Sequence, residues 1–243
     1  MNIIKLNATD STNTYLIKLS KKEWIEDKTL VVAKTQFMGR GQMDTSWQST
    51  PQQSLTFSLF KRFKNLSLKD HFYIAFAVSI GIKKTMENYL VPDISIKWPN
   101  DIMSLSKKMS GILIENQIRN NKVINSVIGV GLNVNEEYFK TLPQATSMFL
   151  TTGIKNNLDK VLKSVSKTIF TELDRIEKGD TKFLKNKYEE FLFRKDRVTV
   201  FEDIEGNRFN GIIKGVSKIG ELQIEKKNHV LQKYKLREIK MLF

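Results

Sequence analysis

Residues 97 to 115 read Lys97-Trp98-Pro99-Asn100-Asp101, then a polar turn, then Lys108-Met109-Ser110-Gly111 leading into an apolar run that ends at Glu115. Two lysines, an amide and a carboxylate therefore stand at the mouth of a tight connection between two buried-looking strands. Loops held by rigid strands are where binding and catalytic groups concentrate, and these are the group types that a nucleotide and its metal ion need. A second stretch, Gln36-Phe37-Met38-Gly39-Arg40-Gly41-Gln42, sets an arginine between two glycines. Glycine lets the backbone turn sharply and bring its N–H groups against an anion. The arginine can then add charge-assisted contacts of about 1.5–3 kcal/mol each. G-R-G alone describes a solvated surface turn equally well, and the stretch is neither a P-loop nor a dinucleotide fingerprint. Lys108-Met109-Ser110 also invites two matches that fail. A K-M-S-K-S loop needs an accompanying H-x-G-H, and a nucleotidyl-lysine K-x-D-G needs an aspartate where Ser110 stands.

Composition narrows the chemistry further. The 243 residues contain no cysteine and only two histidines, His71 and His229. Disulfides, thiolate metal sites and cysteine nucleophiles are excluded, and a histidine-based triad or multi-histidine metal site has almost no material. Chemistry must come from Lys, Arg, backbone N–H groups, carboxylates and Mg²⁺. Forty Lys plus Arg against 26 Asp plus Glu give a net charge of +14. Such a field favours anionic partners, although a lysine-rich solvated surface gives the same number. No run approaches the roughly 18 apolar residues of a membrane span, and the N-terminus lacks a signal-peptide pattern. The expected location is the cytoplasm.

The elements that must position these groups are legible from periodicity. Ile3–Leu6 reads as a strand, followed by Asp10-Ser11-Thr12-Asn13 with Ser11 or Thr12 as helix N-cap and Tyr15, Leu16 and Leu19 at helical spacing. Strands are expected at 30–33 and 54–60, with the glycine–arginine loop, 36–51, between them. A long helix is expected over 68–90, with Phe72, Ala75, Val78, Ile82, Met86 and Tyr89 inward. Strands at 94–98, 111–117 and 123–134 follow, the last two joined as a hairpin at Arg119-Asn120-Asn121-Lys122. Helices over 157–177 and 181–194 carry core stripes. Beyond Lys195, short strands with turns at Glu205-Gly206-Asn207 and Lys218-Ile219-Gly220 indicate a small barrel. The expected domains are 1–194 and 195–243.

Five motifs in one order are far more specific than any alone: Asp10–Asn13; Gly39-Arg40-Gly41 with Trp47; Lys97–Asp101; Lys108-x-x-Gly111; and Gly129-Val130-Gly131-Leu132-Asn133-Val134-Asn135. Together they resemble the biotin protein ligase family, over roughly residues 3 to 150, and the C-terminal barrel is similar to that family's SH3-like appendage. The resemblance implies an α+β fold: a mixed β-sheet with helices, related to class II aminoacyl-tRNA synthetases. It also implies two half-reactions, in which biotin and ATP give biotinyl-5′-AMP and a lysine of a biotin carboxyl carrier protein then takes the biotin. It points to the monofunctional type, since the first catalytic strand begins at Ile3 with no room before it for a DNA-binding domain. Lipoate or octanoate ligases and transferases of the same fold are one alternative, although their arginine- and glycine-rich signature is not found. A basic nucleic-acid-binding protein is another; its binding would be non-specific and salt-dependent. The partners expected are biotin, ATP with Mg²⁺ and the carrier, in a monomer or homodimer without specific DNA or membrane binding.

The resemblance also assigns residues. Ser11, Thr12, Asn13 and Gln36 line the biotin pocket, Thr12 and Gln36 bonding its bicyclic head. Arg40, with Gly39 and Gly41, covers the biotin carboxylate and α-phosphate. Lys108, beside Gly111, reaches the reacting oxygens, so Lys108 and Arg40 are the catalytic candidates. Asn100, Asp101, Lys97 and Asn133 form the nucleotide side, with Asp101 the candidate Mg²⁺ contact. Trp47 either closes the biotin tunnel or simply packs. Trp98 and Pro99 are read as packing and turn-shaping residues. One departure stands out: a second arginine and a following glycine, usual in the family, are here Gln42 and Asp44. Gln42 can hydrogen-bond but brings no charge, so weaker retention of the adenylate is expected.

Overall fold

The computed structural model describes residues 1–42 and 45–243, with nothing described for the side chain of Asn228. Asp44, one of the two departures noted above, lies outside the described residues. Seven strands form one mixed sheet: β1 (Asn2–Thr9), β2 (Thr29–Gln36), β3 (Leu55–Ser67), β4 (Ile94–Lys97), β5 (Asp101–Ser104), β6 (Lys107–Arg119) and β7 (Lys122–Leu132). Their spatial order is β1-β2-β3-β7-β6-β5-β4. Only the β1–β2 pair is parallel. Strand alternation places Leu30, Leu59 and Ile128 on one face, against α2 (Phe72–Asn88) and α4 (Leu158–Glu177), where the main core lies; the short α3 (Met148–Thr152) precedes α4. Val31, Phe60 and Val127 point to the other face, against Leu16 of α1 (Thr12–Lys22). Burying both faces explains why β3 and β7 read as near-continuous apolar runs.

Several expectations shift for local reasons. The helix expected from 68 begins at Phe72, because Leu68–Asp70 closes a 3₁₀ turn first. Its apolar stripe is also wider than expected: Ile74, Phe76, Ala77, Ile80 and Gly81 are buried too, since α4 and α5 (Thr181–Glu190) pack against it in addition to the sheet. A Cβ on Gly81 would lie 2.7 Å from the Ile169 Cα of α4. The β6–β7 hairpin turns at Asn120 and Asn121, both with positive φ, as a two-residue hairpin of the right hand requires. The polar turn after Lys97 contains a further strand, β5, whose ends, Asp101 and Ser104, blend with the turn residues on either side.

The C-terminal strands, β8 (Val198–Asp203), β9 (Arg208–Val216), β10 (Leu222–Glu225), β11 (Leu231–Tyr234) and β12 (Ile239–Leu242), form a separate antiparallel sheet in the order β11-β10-β9-β8-β12, the SH3-like appendage. Strand β12 was also missed. The sheet packs against the turn between β4 and β5, where Trp98 Nε1 donates to the Gly220 carbonyl at 3.0 Å. The expected packing role of Trp98 is therefore met, and the Trp98–Pro99 peptide is cis. No helix among the described residues is long and apolar enough to cross a membrane.

Candidate active site

On the face of the sheet that carries α1, beyond that helix's N-terminus, lies a cavity of about 240 Å³. Its floor is set by register. The cross-strand row Thr56–Gly131–Gly111 runs beside the row Ser58–Gly129–Leu113. The glycines are there because other side chains lie on the backbone itself. A Cβ on Gly129 would overlap the Asn13 carboxamide, and one on Gly131 would overlap the Trp47 indole.

One wall is α1 with the end of β2. Ser11 occupies the N-cap position but its hydroxyl makes no capping bond. The orphan N–H of Thr12 donates instead to Gln36 Oε1 at 2.7 Å, and Thr12 Oγ1 lies 3.1 Å from the same oxygen. The Gln36 amide oxygen is thus occupied, and its Nε2 is the end left to meet a ligand. Thr12 and Asn13 are held from beneath by the fully buried Ser58, whose Oγ lies 2.7 Å from Thr12 Oγ1 and 2.5 Å from Asn13 Oδ1. Ser58 was not among the expected residues. The signal was present in Thr56-x-Ser58, two small polar residues two apart in the otherwise apolar first half of β3, residues 55–60.

The roof is the glycine–arginine loop, which folds as a small hairpin. Trp47 N–H donates to Gly39 O at 2.8 Å, Gly41 N–H to Thr45 O at 2.6 Å, and Arg40 bridges Ser46. Buried Glu136 anchors its far end by accepting the Thr50 N–H at 2.6 Å. Arg40, Gly41, Gln42 and Trp47 line the cavity, whereas Gly39 is buried behind it. Gln42 Oε1 is buried with no hydrogen-bond partner among the described residues. The Arg40 guanidinium is paired with Glu115 at 2.7 Å, and the same carboxylate oxygen accepts from Asn13 Nδ2 at 2.8 Å.

The fourth side is Lys108 with the turn at 98–100. Lys108 and Gly111 are three apart on a strand, a spacing that would put them on opposite faces. A β-bulge opposite Ile102–Met103 inserts Met109, so Lys108 swings back to the cavity side. Its Nζ pairs with Asp101 Oδ1 at 2.6 Å and lies 5.7 Å from the Trp47 ring. Lys97 Nζ reaches the other Asp101 oxygen at 3.6 Å. Asn100 is fastened to β6 in both directions, donating from Nδ2 to Ile112 O at 2.8 Å and accepting the Ile112 N–H at 3.1 Å. Fully buried Tyr188 donates to Pro99 O at 3.2 Å. Burial, with the nearby Asp101 charge adding to it, pushes that hydroxyl far above its usual pKa, so it stays a donor at every physiological pH.

Three expected residues fall outside this cavity: Gly39, behind the roof, Asn133 and Lys97. Asn133 is buried and its Nδ2 ties the chain to Thr146 O at 2.9 Å, holding the segment whose Gln144 carbonyl accepts the Lys108 N–H. It does not line the cavity, and its Oδ1 is buried with no hydrogen-bond partner among the described residues. Lys97 lines a second cavity of about 450 Å³, between the turn at 98–100 and the C-terminal sheet, which Asn100 and Asp101 also border. Both histidines stand apart: His71 bonds the Leu68 carbonyl, and His229 is exposed beside Glu225.

Residues 6–133 match the model of the biotin/lipoate A/B protein ligase family. The bifunctional ligase/repressor BirA of Bacillus subtilis is 35% identical over 109 residues, 45% of this chain and 33% of that protein. The biotin–[acetyl-CoA-carboxylase] ligase of Mycobacterium tuberculosis is 28% identical over 143 residues, 58% of this chain and 52% of that protein. The matches thus span between a third and about half of these curated relatives' length. Among solved structures, the Aquifex aeolicus biotin protein ligase in complex with biotin and ATP superposes with a TM-score of 0.80 at 25% identity, covering 99% of this chain and 98% of that one.

Proposed function

The chain belongs to the biotin/lipoate A/B protein ligase family, and from that premise we propose that it is an ATP-dependent biotin protein ligase. The observation that carries the reading is the convergence of residues from all five motifs, lying between Ser11 and Gly131, on one cavity with a hydrogen-bonding end and a cationic end. Thr12 and Gln36 form the first, suited to the bicyclic head of biotin; Arg40 and Lys108 form the second, suited to its carboxylate and the α-phosphate.

In the first half-reaction the biotin carboxylate attacks the α-phosphorus of ATP. An oxygen–phosphorus bond forms to give biotinyl-5′-AMP, and pyrophosphate leaves. Arg40 and Lys108 supply positive charge where negative charge builds on the transferring phosphoryl group. In the second, the ε-amine of a carrier-protein lysine attacks the acyl carbon and AMP leaves. Asn100 and Asp101 border both cavities and Lys97 the second, and all three are assigned to the nucleotide. Asp101 is the only carboxylate among the described residues lining the first cavity, and no cluster of three metal-binding side chains exists among the described residues. Such a site fits Mg²⁺ bound mainly by substrate phosphates and water, with Asp101 as at most one ligand. The ion would neutralise phosphate charge. We assign residues 1–194 to the catalytic unit and 195–243 to the appendage.

The deciding experiment is incubation with ATP, Mg²⁺, biotin and a biotin carrier domain, followed by intact-mass measurement. A mass gain of one biotin on the carrier is expected, with no gain when lipoate replaces biotin. An unmodified carrier, under conditions where a known biotin ligase labels it, would defeat the reading.

A further inference from the structure

Glu115 does not line the cavity, yet its carboxylate holds two residues that do. It stands two positions beyond Leu113 on β6, on the same face by strand alternation, and a single oxygen, Oε2, meets Arg40 Nη2 at 2.7 Å and Asn13 Nδ2 at 2.8 Å. The cationic group assigned to an incoming carboxylate or phosphate thus already carries a carboxylate from the chain itself. The pair is partly solvated, with side-chain exposures of 44% for Arg40 and 31% for Glu115. An ion pair of that exposure is weak enough to exchange. Asn13 continues the contact through Ser58 to Thr12 and Gln36, so one hydrogen-bonded chain runs along the wall from the head end to Arg40.

Resting on the biotin reading above, we infer that Glu115 is a specificity-determining residue, an internal carboxylate that competes with the ligand's acid group for Arg40. A ligand bearing an anion displaces Glu115 from the guanidinium. A neutral analogue leaves the pair intact and gains nothing from Arg40. Glu115 therefore lowers the affinity for acid ligands in the resting enzyme while keeping Arg40 aimed along the cavity wall.

The test is calorimetric titration of biotin and of biotinamide, which lacks the charge, into wild type and Glu115→Gln. The glutamine keeps an oxygen for Asn13 and removes the competing charge. Biotin affinity is expected to rise about two- to fivefold, the range for a partly exposed ion pair, with biotinamide unchanged. Should the glutamine variant not fold, Glu115→Asp, which retracts the carboxylate from Arg40, is expected to give the same split. Equal shifts for both ligands, or no shift, overturn the inference and assign Glu115 a purely structural role. A wild type that binds neither ligand overturns the biotin reading itself, and this inference with it.

Discussion

Lys108 enters the cavity already paired, its ammonium 2.6 Å from Asp101 and facing Trp47. A cation held this way can turn from Asp101 toward charge that develops on a substrate, which makes its contribution greatest in the transition state. Lys108→Ala should therefore lower the rate of adenylate formation by about 10²–10³, the usual loss for one such donor, while biotin affinity changes little; pyrophosphate release and biotin titration separate the two. Equal losses in both would reduce Lys108 to a ground-state contact. Gln42 lines the same cavity with a buried, unpartnered oxygen. Gln42→Arg adds a charge-assisted bond to the adenylate and should slow its dissociation about tenfold or more, measured by chasing labelled biotinyl-AMP; unchanged or faster loss would remove Gln42 as a cause of weak retention. At this scale the sequence disclosed residues whose types are unusual in their setting, such as Arg40 between glycines. It did not disclose Glu115, because one glutamate on a strand looks like any other until register places it beside Asn13, whereas the Thr56-x-Ser58 alternation did mark Ser58. Asn133 was read as facing a ligand because an asparagine next to a strand end is ambiguous between binding and tying down a neighbouring segment.

Strand geometry decides which of these residues can meet. The K-x-x-G spacing of Lys108 and Gly111 makes a shared face impossible on a regular strand, and the bulge at Met109 makes it possible. Nothing in the sequence marks that bulge, since Met109 reads simply as one more apolar strand residue. The long, two-sided strands were legible because both of their faces are buried. Strand β5 was not, because its residues, Asp101-Ile102-Met103-Ser104, lie between Pro99-Asn100 and the positive-φ pair Leu105-Ser106 and merge with the turns on either side; β12 was not either. The glycine floor makes a prediction of its own. Gly131→Ala puts a methyl where the Trp47 indole lies, and the roof hairpin, rather than the sheet, should give way. Biotin affinity is expected to fall at least tenfold while the thermal midpoint moves by only a few degrees. A large drop in midpoint with affinity retained would show that Trp47 is core packing and not part of the site.

Across the whole molecule, the C-terminal sheet reaches back to the turn that carries Asn100 and Asp101. Trp98 bonds Gly220, Gly220 lies against Phe72, Val216 N–H donates to Glu189, and Phe193 meets Phe243 edge-on at 5.1 Å. The appendage was legible as a separate texture of short strands, but its seat against the turn at 98–100 was not, because contacts between residues 122 apart leave no local pattern. Trp98→Phe keeps the packing and removes one hydrogen bond. It should cost about 1 kcal/mol of stability and raise the KM for ATP several-fold with biotin affinity unchanged; an unaltered KM for ATP would mean that the appendage does not steady the nucleotide side. The net charge of +14 adds a long-range attraction for anionic ligands, strongest at low salt.

The chain's three tryptophans occupy three unlike settings. Trp24 is 75% exposed, Trp98 is clamped between the two sheets, and Trp47 lies flat on glycine backbone with an ammonium near its ring. An indole so placed should change its emission when a ligand enters beneath it, and exposed Trp24 can be replaced by phenylalanine without touching the cavity. The protein thus carries its own optical gauge of site occupancy, one that follows filling and emptying in real time without a label.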